Sequence, residues 1–404
     1  MPINSDSHKT LFNTLTQLGD MPVERFLTEY WQKKPLLIRQ AIPNFQSPIS
    51  ADELAGFSLD EDICSRLVIE DRATNNWQVK HGPLNESDFV KLPDTDWSLL
   101  VQNVDALDLS VNALLSLFRF LPNWRLDDIM VSYSPIGGGV GPHFDYYDVF
   151  LLQGEGERRW RLGQHCDSSS DLLEDQPMNI LSEFHGETEW LTKPGDIIYI
   201  PAHIAHWGES LSPSITYSFG FRAPSHADLL LDLAQEVAST LTEDQRYRDS
   251  ALSPKPVHDG GPDSARIDAT VISEFQSTLE ALVSDPQMIG NWLGEYSTRL
   301  KNESLLPELD FAEQDDWLNN QPLQLSSFCR SAYITSSTSE ENTRLFINGE
   351  SYECTAALAS LLSNYKTFTR EQLAAGTTTG ILDATLEQQL MLDLIDTHEL
   401  IVKA

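Results

Sequence analysis

A chain of 404 residues with 41% apolar content is long enough for two or three packed domains and too apolar to remain unfolded. Its 61 acidic residues against 27 basic ones give a formal net charge of -34, which disfavours phosphate backbones and anionic lipid surfaces and suits a basic partner. Four scattered cysteines with no C-x-x-C pair, no apolar run of roughly 18 residues and no basic-then-apolar N-terminus argue against a disulfide scaffold, a zinc ribbon, a membrane helix and a secretory leader. Reduced thiols, a cytoplasmic location and no membrane contact are the expectation.

In chain order, "VERFLTEYWQKKPLLIRQA" predicts an amphipathic helix from Val23, a break at Lys33-Lys34-Pro35 and a short buried strand at Leu36-Leu37-Ile38. Strand and helix patterns mix up to about residue 120. Within that stretch "DLSVNALLSLFRFLP" predicts one helix, capped by Asp108 or Ser110 and stopped before Pro122.

After "NWRLDDIMVSYSP" the character changes. Short runs rich in Val, Ile, Tyr and Phe alternate with turn residues through "VFLLQG", "RRWRLG", "TEWLTKPGDIIYIP" and "SITYSFGFRAP". Such spacing predicts an antiparallel sandwich or barrel with its β core over about 125–223.

Ser225 then opens a helix in "HADLLLDLAQEVASTL"; the loop "LSPKPVHDGGPD" and a second helix, "ATVISEFQSTLEALVSD", follow. A segment of roughly 225–300 with helical periodicity and few catalytic residue types fits packing or dimerisation. The last hundred residues combine a hairpin signature at Asn348-Gly349 with helical "TAALASLLSNY" and "DATLEQQLMLDLIDTHEL", the pattern of a winged helix. Five basic residues against ten acidic ones over 321–404 leave that unit at -5, so it is not expected to bind nucleic acid.

Four H-x-[DE] pairs occur: His143/Asp145, His165/Asp167, His185/Glu187 and His226/Asp228. The last opens a helix, where residues two apart diverge, and Asp228 suits the helix N-terminus by itself. The second and third lie in polar loops with no scaffold to hold ligands. His143-Phe144-Asp145 leads from "GGGVGP" into a strand, where residues i and i+2 face one side and converge on one ion. A third ligand follows the turn Pro194-Gly195-Asp196 and the strand "IIYIP", at His203 or His206. Two histidines and a carboxylate on a β scaffold make a facial triad with open positions, the arrangement of non-haem Fe(II) oxygenases.

"H-F-D", then a histidine 63 residues on (206 minus 143) after "PGDIIYIPAHIAH", resembles the JmjC branch of the cupin oxygenases. With "FLTEYWQKKPLLIRQA", "SPIGGGVGPHFDYYDVFLLQGEGERRWRLG" and "YSFGFRAP", the chain resembles along nearly its whole length the bacterial ribosomal oxygenases of the cupin-4 group. The resemblance implies an α+β fold: a double-stranded β-helix catalytic domain over 1–223, a helical dimerisation segment over 224–305 and a winged-helix-like domain over 306–404. It selects His206, five residues after Pro201, as the third iron ligand beside His143 and Asp145.

It further implies 2-oxoglutarate and O2 as co-substrates. Arg158 would grip the distal carboxylate of 2-oxoglutarate, as a planar guanidinium can with two parallel hydrogen bonds, and Ser132 would assist. The implied reaction is C3 hydroxylation of an arginine in a basic large-subunit ribosomal protein, with succinate and CO2 released and the enzyme a homodimer. Other readings are a JmjC-type hydroxylase of histidine or another residue, and a non-catalytic cupin binding module. Thr216 departs from the family, standing where relatives place an amide. Tyr146, Tyr147 and Asp148, just past the ligands, are expected to line the target pocket, with Asp148 pairing a guanidinium.

Overall fold

The computed structural model describes residues 13–248, 267, 269–300, 311–335, 343–364, 367–376 and 384–402. The loop expected over 252–263 lies outside them.

A minimal pair, β1 (Gln17–Leu18) and β2 (Met21–Pro22), leads into the helix Val23–Glu29. The strands β3 (Leu36–Ile38), β4 (Ser65–Asp71), β5 (Asn76–His81), β6 (Trp97–Val101), β7 (Leu126–Ser134), β8 (Asp148–Glu155), β11 (Ile197–Ile200) and β13 (Ser214–Phe221) form an eight-stranded sheet. Its order is β3-β11-β8-β13-β7-β6-β4-β5, and every pairing in it is antiparallel. A second sheet, β10-β9-β12, is built from β9 (Arg158–His165), β10 (Thr188–Thr192) and β12 (Ile204–Ser210). The β core is therefore wider than 125–223, since four of the eight strands of the larger sheet precede residue 125.

Alternation along each strand sorts the side chains between two faces. On β8, Phe150 and Leu152 face outward and join Phe26, Phe118, Tyr199, Tyr217 and Phe219 in the main core. Phe118 lies 4.6 Å from both Phe150 and Phe219, and Phe26 meets Tyr199 at 5.0 Å edge to face. Val149 and Leu151 face inward with Ile198 and Ile200, and meet Trp160 and Leu162 of the second sheet. The two sheets thus pack face to face, and the outer face of the larger one is covered by the N-terminal helices.

The expected helix after Asp108 is broken in two. Asp108 is its cap, accepting from the Ser110 and Val111 N–H groups at 2.8 and 2.9 Å, but the α-helix runs only over Leu109–Ala113. It tightens into a 3-10 helix at Leu114–Phe118. With three residues per turn, Leu114 and Leu117 lie one above the other, and both are buried with Leu115 and Phe118 in the core.

Beyond the barrel, the helix His226–Thr240 starts in a capping box between Ser225 and Asp228. Helices Ala269–Leu282 and Pro286–Thr298 follow. The C-terminal unit has its own core around Leu345, Leu358 and Met391. It contains a two-stranded pair, β14 (Leu323–Leu325) with β18 (Leu400–Val402), and a three-stranded sheet of β15 (Ser331–Thr335), β16 (Thr343–Ile347) and β17 (Glu350–Cys354). The β16–β17 turn is Asn348-Gly349, both at positive φ (51° and 92°), as the sequence expects. All four cysteines are free thiols, and only Cys64 is exposed. Among the described residues no helix is long and apolar enough to cross a membrane.

Candidate metal centre

His206 sits on β12 and faces the space between the sheets, 6.2 Å ring to ring from Trp160. The strand bearing it was not anticipated; only Ile197–Ile200 read as a strand. His143 and Asp145 do not lie in a strand, contrary to expectation, because β8 begins at Asp148. What holds them is a single antiparallel bridge between the two histidines: the His143 N–H donates to His206 O at 3.0 Å, and the His206 N–H donates to His143 O at 2.8 Å. The glycine-rich segment before His143 runs beside β12, and a Cβ on Gly139 would come within 2.4 Å of Gly208 O.

This bridge brings the triad together. Among the described residues His143, Asp145 and His206 are the one His/Cys/Asp/Glu group that can converge on a metal, with ligand atoms within 4.8 Å of one another. His206 Nε2 is 3.6 Å from Asp145 Oδ2, and the two imidazoles are 4.2 Å apart. Each imidazole is oriented by a carbonyl: His143 Nδ1 lies 3.0 Å from Gly141 O, and His206 Nδ1 lies 2.9 Å from Ile204 O. A proton on each Nδ1 donates to its carbonyl and leaves Nε2 free to ligate. Burial, reinforced by His143, lowers the His206 pKa to about 4, so the ring is neutral, as a ligand must be.

His203 is built into the turn before β12. It adopts a left-handed φ of 70°, its N–H donates to Asp145 O at 2.7 Å, and its ring stacks on His165 at 5.3 Å. Its role is to fasten the Asp145 loop, and it is not in the metal group. Phe144 turns away from the triad into a cluster with Cys166, Leu181 and Ala205.

Arg158 points into the same interior. It is 4% exposed, and its pKa is lowered by burial to about 10. Its Nη1 donates to Thr216 Oγ1 at 3.3 Å and its Nη2 to Gly208 O at a long 3.5 Å, while Nε has no partner. A buried guanidinium held so loosely is costly unless an anion completes it. The space around it is kept open by Gly208, where a Cβ would sit 2.8 Å from Arg158 Nε and 2.7 Å from Trp160. Ser132 is paired with Thr216 across β7 and β13 and is buried on that same interior face. The Thr216 departure thus supplies a hydroxyl next to Arg158, and Gly208 is a functional position the sequence reading missed.

Two of the three expected pocket residues, Tyr146 and Tyr147, are exposed. Tyr146 is exposed, its ring 5.3 Å from His203. The Tyr147 pKa is raised by partial burial and then by the neighbouring Asp145 and Asp128 carboxylates. Asp148 is corrected: it is 1% exposed and lies on the outward face of β8, alongside Phe150. There it accepts from Tyr199 at 2.5 Å and Gln32 at 3.1 Å, and pairs with Arg125 at 3.5 Å. It has a guanidinium partner, but an internal one.

Comparison with known proteins converges on one group. A family model described as a JmjC domain matches residues 113–229. The chain is 38% identical over 284 residues to the ribosomal protein uL16 3-hydroxylase of Escherichia coli, covering 69% of this chain and 72% of that protein. The X-ray structure of E. coli ycfD superposes with a TM-score of 0.82 at 29% identity, covering 95% of this chain and 99% of that one. YcfD, described as a ribosomal oxygenase from E. coli, in complex with cobalt and 2-oxoglutarate matches with a TM-score of 0.79 at 30% identity, over 96% and 99% of the two chains.

Proposed function

The chain belongs to the JmjC family of ribosomal oxygenases, and on that premise we propose that it is an Fe(II)- and 2-oxoglutarate-dependent hydroxylase acting at C3 of an arginine in a large-subunit ribosomal protein. The observation that carries this reading is the pairing of a His-Asp-His triad with a buried guanidinium that has no carboxylate partner among the described residues. The relative that acts on ribosomal protein uL16 supports the substrate class.

In this reading His143, Asp145 and His206 would hold the iron, and the single carboxylate would offset part of its charge. Fe(II), when bound, supplies the chemistry by which O2 and 2-oxoglutarate yield succinate, CO2 and a hydroxylated substrate. Arg158 binds the distal carboxylate of 2-oxoglutarate in a dry pocket, where a charge-assisted pair is strong, and Thr216 and Ser132 line that pocket. The packed interior of Val149, Leu151, Trp160 and Ile198 excludes water from the reacting centre.

Tyr146 and Tyr147 frame the entrance. Asp128, an acid near Tyr147 on β7, takes the guanidinium-pairing role that Asp148 does not serve. The chain's negative charge steers a basic ribosomal protein toward this mouth. Homodimerisation through the segment 224–305, a winged-helix-like unit over 306–404 and a cytoplasmic setting complete the proposal. Exposed Leu230, Leu231, Ile272 and Leu279 support the dimer, and the β16–β17 hairpin beside helices supports the winged helix.

Mass spectrometry of ribosomal proteins from cells with and without the gene tests the function. One added oxygen on an arginine of a single large-subunit protein, lost with the gene, is expected. Modification of a histidine instead would transfer the reading to the histidyl class.

A further inference from the structure

The barrel contains every residue assigned above, which leaves the C-terminal unit without a part in the reaction. Its hydrogen bonds with the barrel come from Ser327, Arg330 and Ser363, and those of Arg330 are the ones that reach β7. Arg330, just before β15, donates from Nη2 to Asp105 Oδ2 at 2.6 Å, and Asp105 is fully buried. The other oxygen of that carboxylate, Oδ1, accepts the Ile129 N–H of β7 at 2.8 Å. Arg330 also donates from Nε and Nη2 to Asp127 O, again on β7, at 3.2 and 3.0 Å.

Three further bonds seal the joint: Ser327 Oγ donates to Ala106 O at 3.0 Å, Asn112 Nδ2 to Ser327 O at 2.9 Å, and Asn123 Nδ2 to Ser363 O at 2.8 Å. Arg330 is fixed from its own side, because its N–H donates to Asn348 Oδ1 at 2.9 Å, and Asn348 Nδ2 donates to Glu399 Oε1 at 2.9 Å.

Ile129 and Val131 of β7 lie in the main core, so alternation sends Met130 and Ser132 to the opposite face. That face is the barrel interior, where Met130 packs with Trp77 and Leu100, and Ser132 is paired with Thr216. The C-terminal unit therefore holds, at the edge that β6 leaves open beyond the Val101–Val131 pair, the strand whose inner side chains line the co-substrate pocket.

We propose that the C-terminal unit serves the reaction by fixing β7, with Arg330 as a positioning residue that acts through Asp105 and the Asp127 carbonyl. This rests on the hydroxylase reading, because it assigns β7 a place beside the target side chain. Displacements of β7 by a fraction of an ångström would misplace the target relative to the metal while leaving the triad, on other segments, intact.

The test uses the full chain. Arg330→Lys keeps a cation for Asp105 and loses the fork to Asp127 O. The double variant Asp105→Asn with Arg330→Gln replaces the buried ion pair with a neutral one and guards against misfolding. The substrate is a basic arginine-containing peptide from the ribosomal protein found modified in cells. The readouts are KM for peptide and for 2-oxoglutarate, the ratio of hydroxylated peptide to succinate, and hydrogen exchange over 126–134.

In both variants we expect KM for the peptide to rise about fivefold and the product-to-succinate ratio to fall, with KM for 2-oxoglutarate changed less than about twofold. Exchange at Ile129 should quicken. Unchanged peptide KM and product ratio, with only a lower Tm, would reduce Arg330 to a structural tie and overturn the proposal, as would unchanged exchange over 126–134. A wild-type enzyme that releases no succinate with any ribosomal protein would instead sink the hydroxylase reading, while the exchange data would still report whether Arg330 holds β7.

Discussion

A half-buried arginine and a buried one behave as opposites. Arg330, at the joint between the C-terminal unit and the barrel, meets the fully buried Asp105 carboxylate at 2.6 Å and a β7 carbonyl as well. Arg158, inside the barrel, has one hydroxyl at 3.3 Å, one distant carbonyl and an Nε with no partner. Burial alone does not account for the difference, since Arg158 is buried and most of the Arg330 side chain is too. Compensation does: a compensated buried charge marks a joint of the fold, whereas an uncompensated one marks a place kept ready for a ligand.

The contrast is broken most directly by deleting each cation. Arg330→Met leaves Asp105 charged and unpaired, and should cost about 3–5 kcal/mol of stability, measured by denaturant unfolding. Arg158→Met should do the reverse in the ligand-free protein, raising stability by about 1 kcal/mol, because a desolvated charge is replaced by an apolar chain. The same variant should weaken 2-oxoglutarate binding by about 30-fold or more, the cost of about 2 kcal/mol upward for losing one partner of a buried charge pair. Titration calorimetry with 2-oxoglutarate in the presence of Co(II) reads that loss. Destabilisation of the ligand-free protein by Arg158→Met would show that the two sites are not opposites.

A third buried charge sharpens the rule. Glu399 accepts from Asn348 and Thr397 and has no cation partner among the described residues, and burial raises its pKa to about 7. Its folded pKa lies above the ordinary carboxylate value, so the folded protein holds an extra proton at intermediate pH. The stability this provides is complete below about pH 4.5 and is lost as pH rises through about 7. Glu399→Gln should abolish that slope and exceed the wild type at pH 8 by up to about 3 kcal/mol, seen as a pH-dependent difference in Tm. Equal pH profiles for the two proteins would refute this.

The smallest change probes the space around Arg158. Gly208→Ala places a methyl against both Trp160 and the Arg158 Nε, so overpacking of about 1–2 kcal/mol should appear chiefly as a raised KM for 2-oxoglutarate. Unaltered co-substrate kinetics would mean the guanidinium has room to move aside.

The sequence carried much of this site. His143-x-Asp145 and the Pro-Gly-Asp turn point to a metal-binding set with His203 or His206 as its third member, and resemblance to the family selects His206 and supplies Arg158. Asp148 shows where such reading fails. With a side-chain period of two, facing depends on where the strand begins, and β8 begins five residues after His143 rather than at it. That shift turns Asp148 outward, into the Tyr199 and Arg125 network. Gly208 was missed because the close approach of Arg158 and Trp160 comes from neighbouring strands and leaves no local pattern.

By itself the sequence determined what local forces encode: strand periodicity, the Asp108 cap, the Ser225 capping box, the Asn348-Gly349 turn and the chemical identity of the ligands. Tertiary structure alone decided which histidine Nε2 atoms approach the carboxylate, which face Arg158 and Asp148 take, and that Arg330 reaches Asp105 across 225 residues of chain. The physical reason is range. Backbone dihedrals and near-neighbour hydrogen bonds are fixed within a few residues, whereas facing, pairing and charge compensation are set by which distant segments pack together.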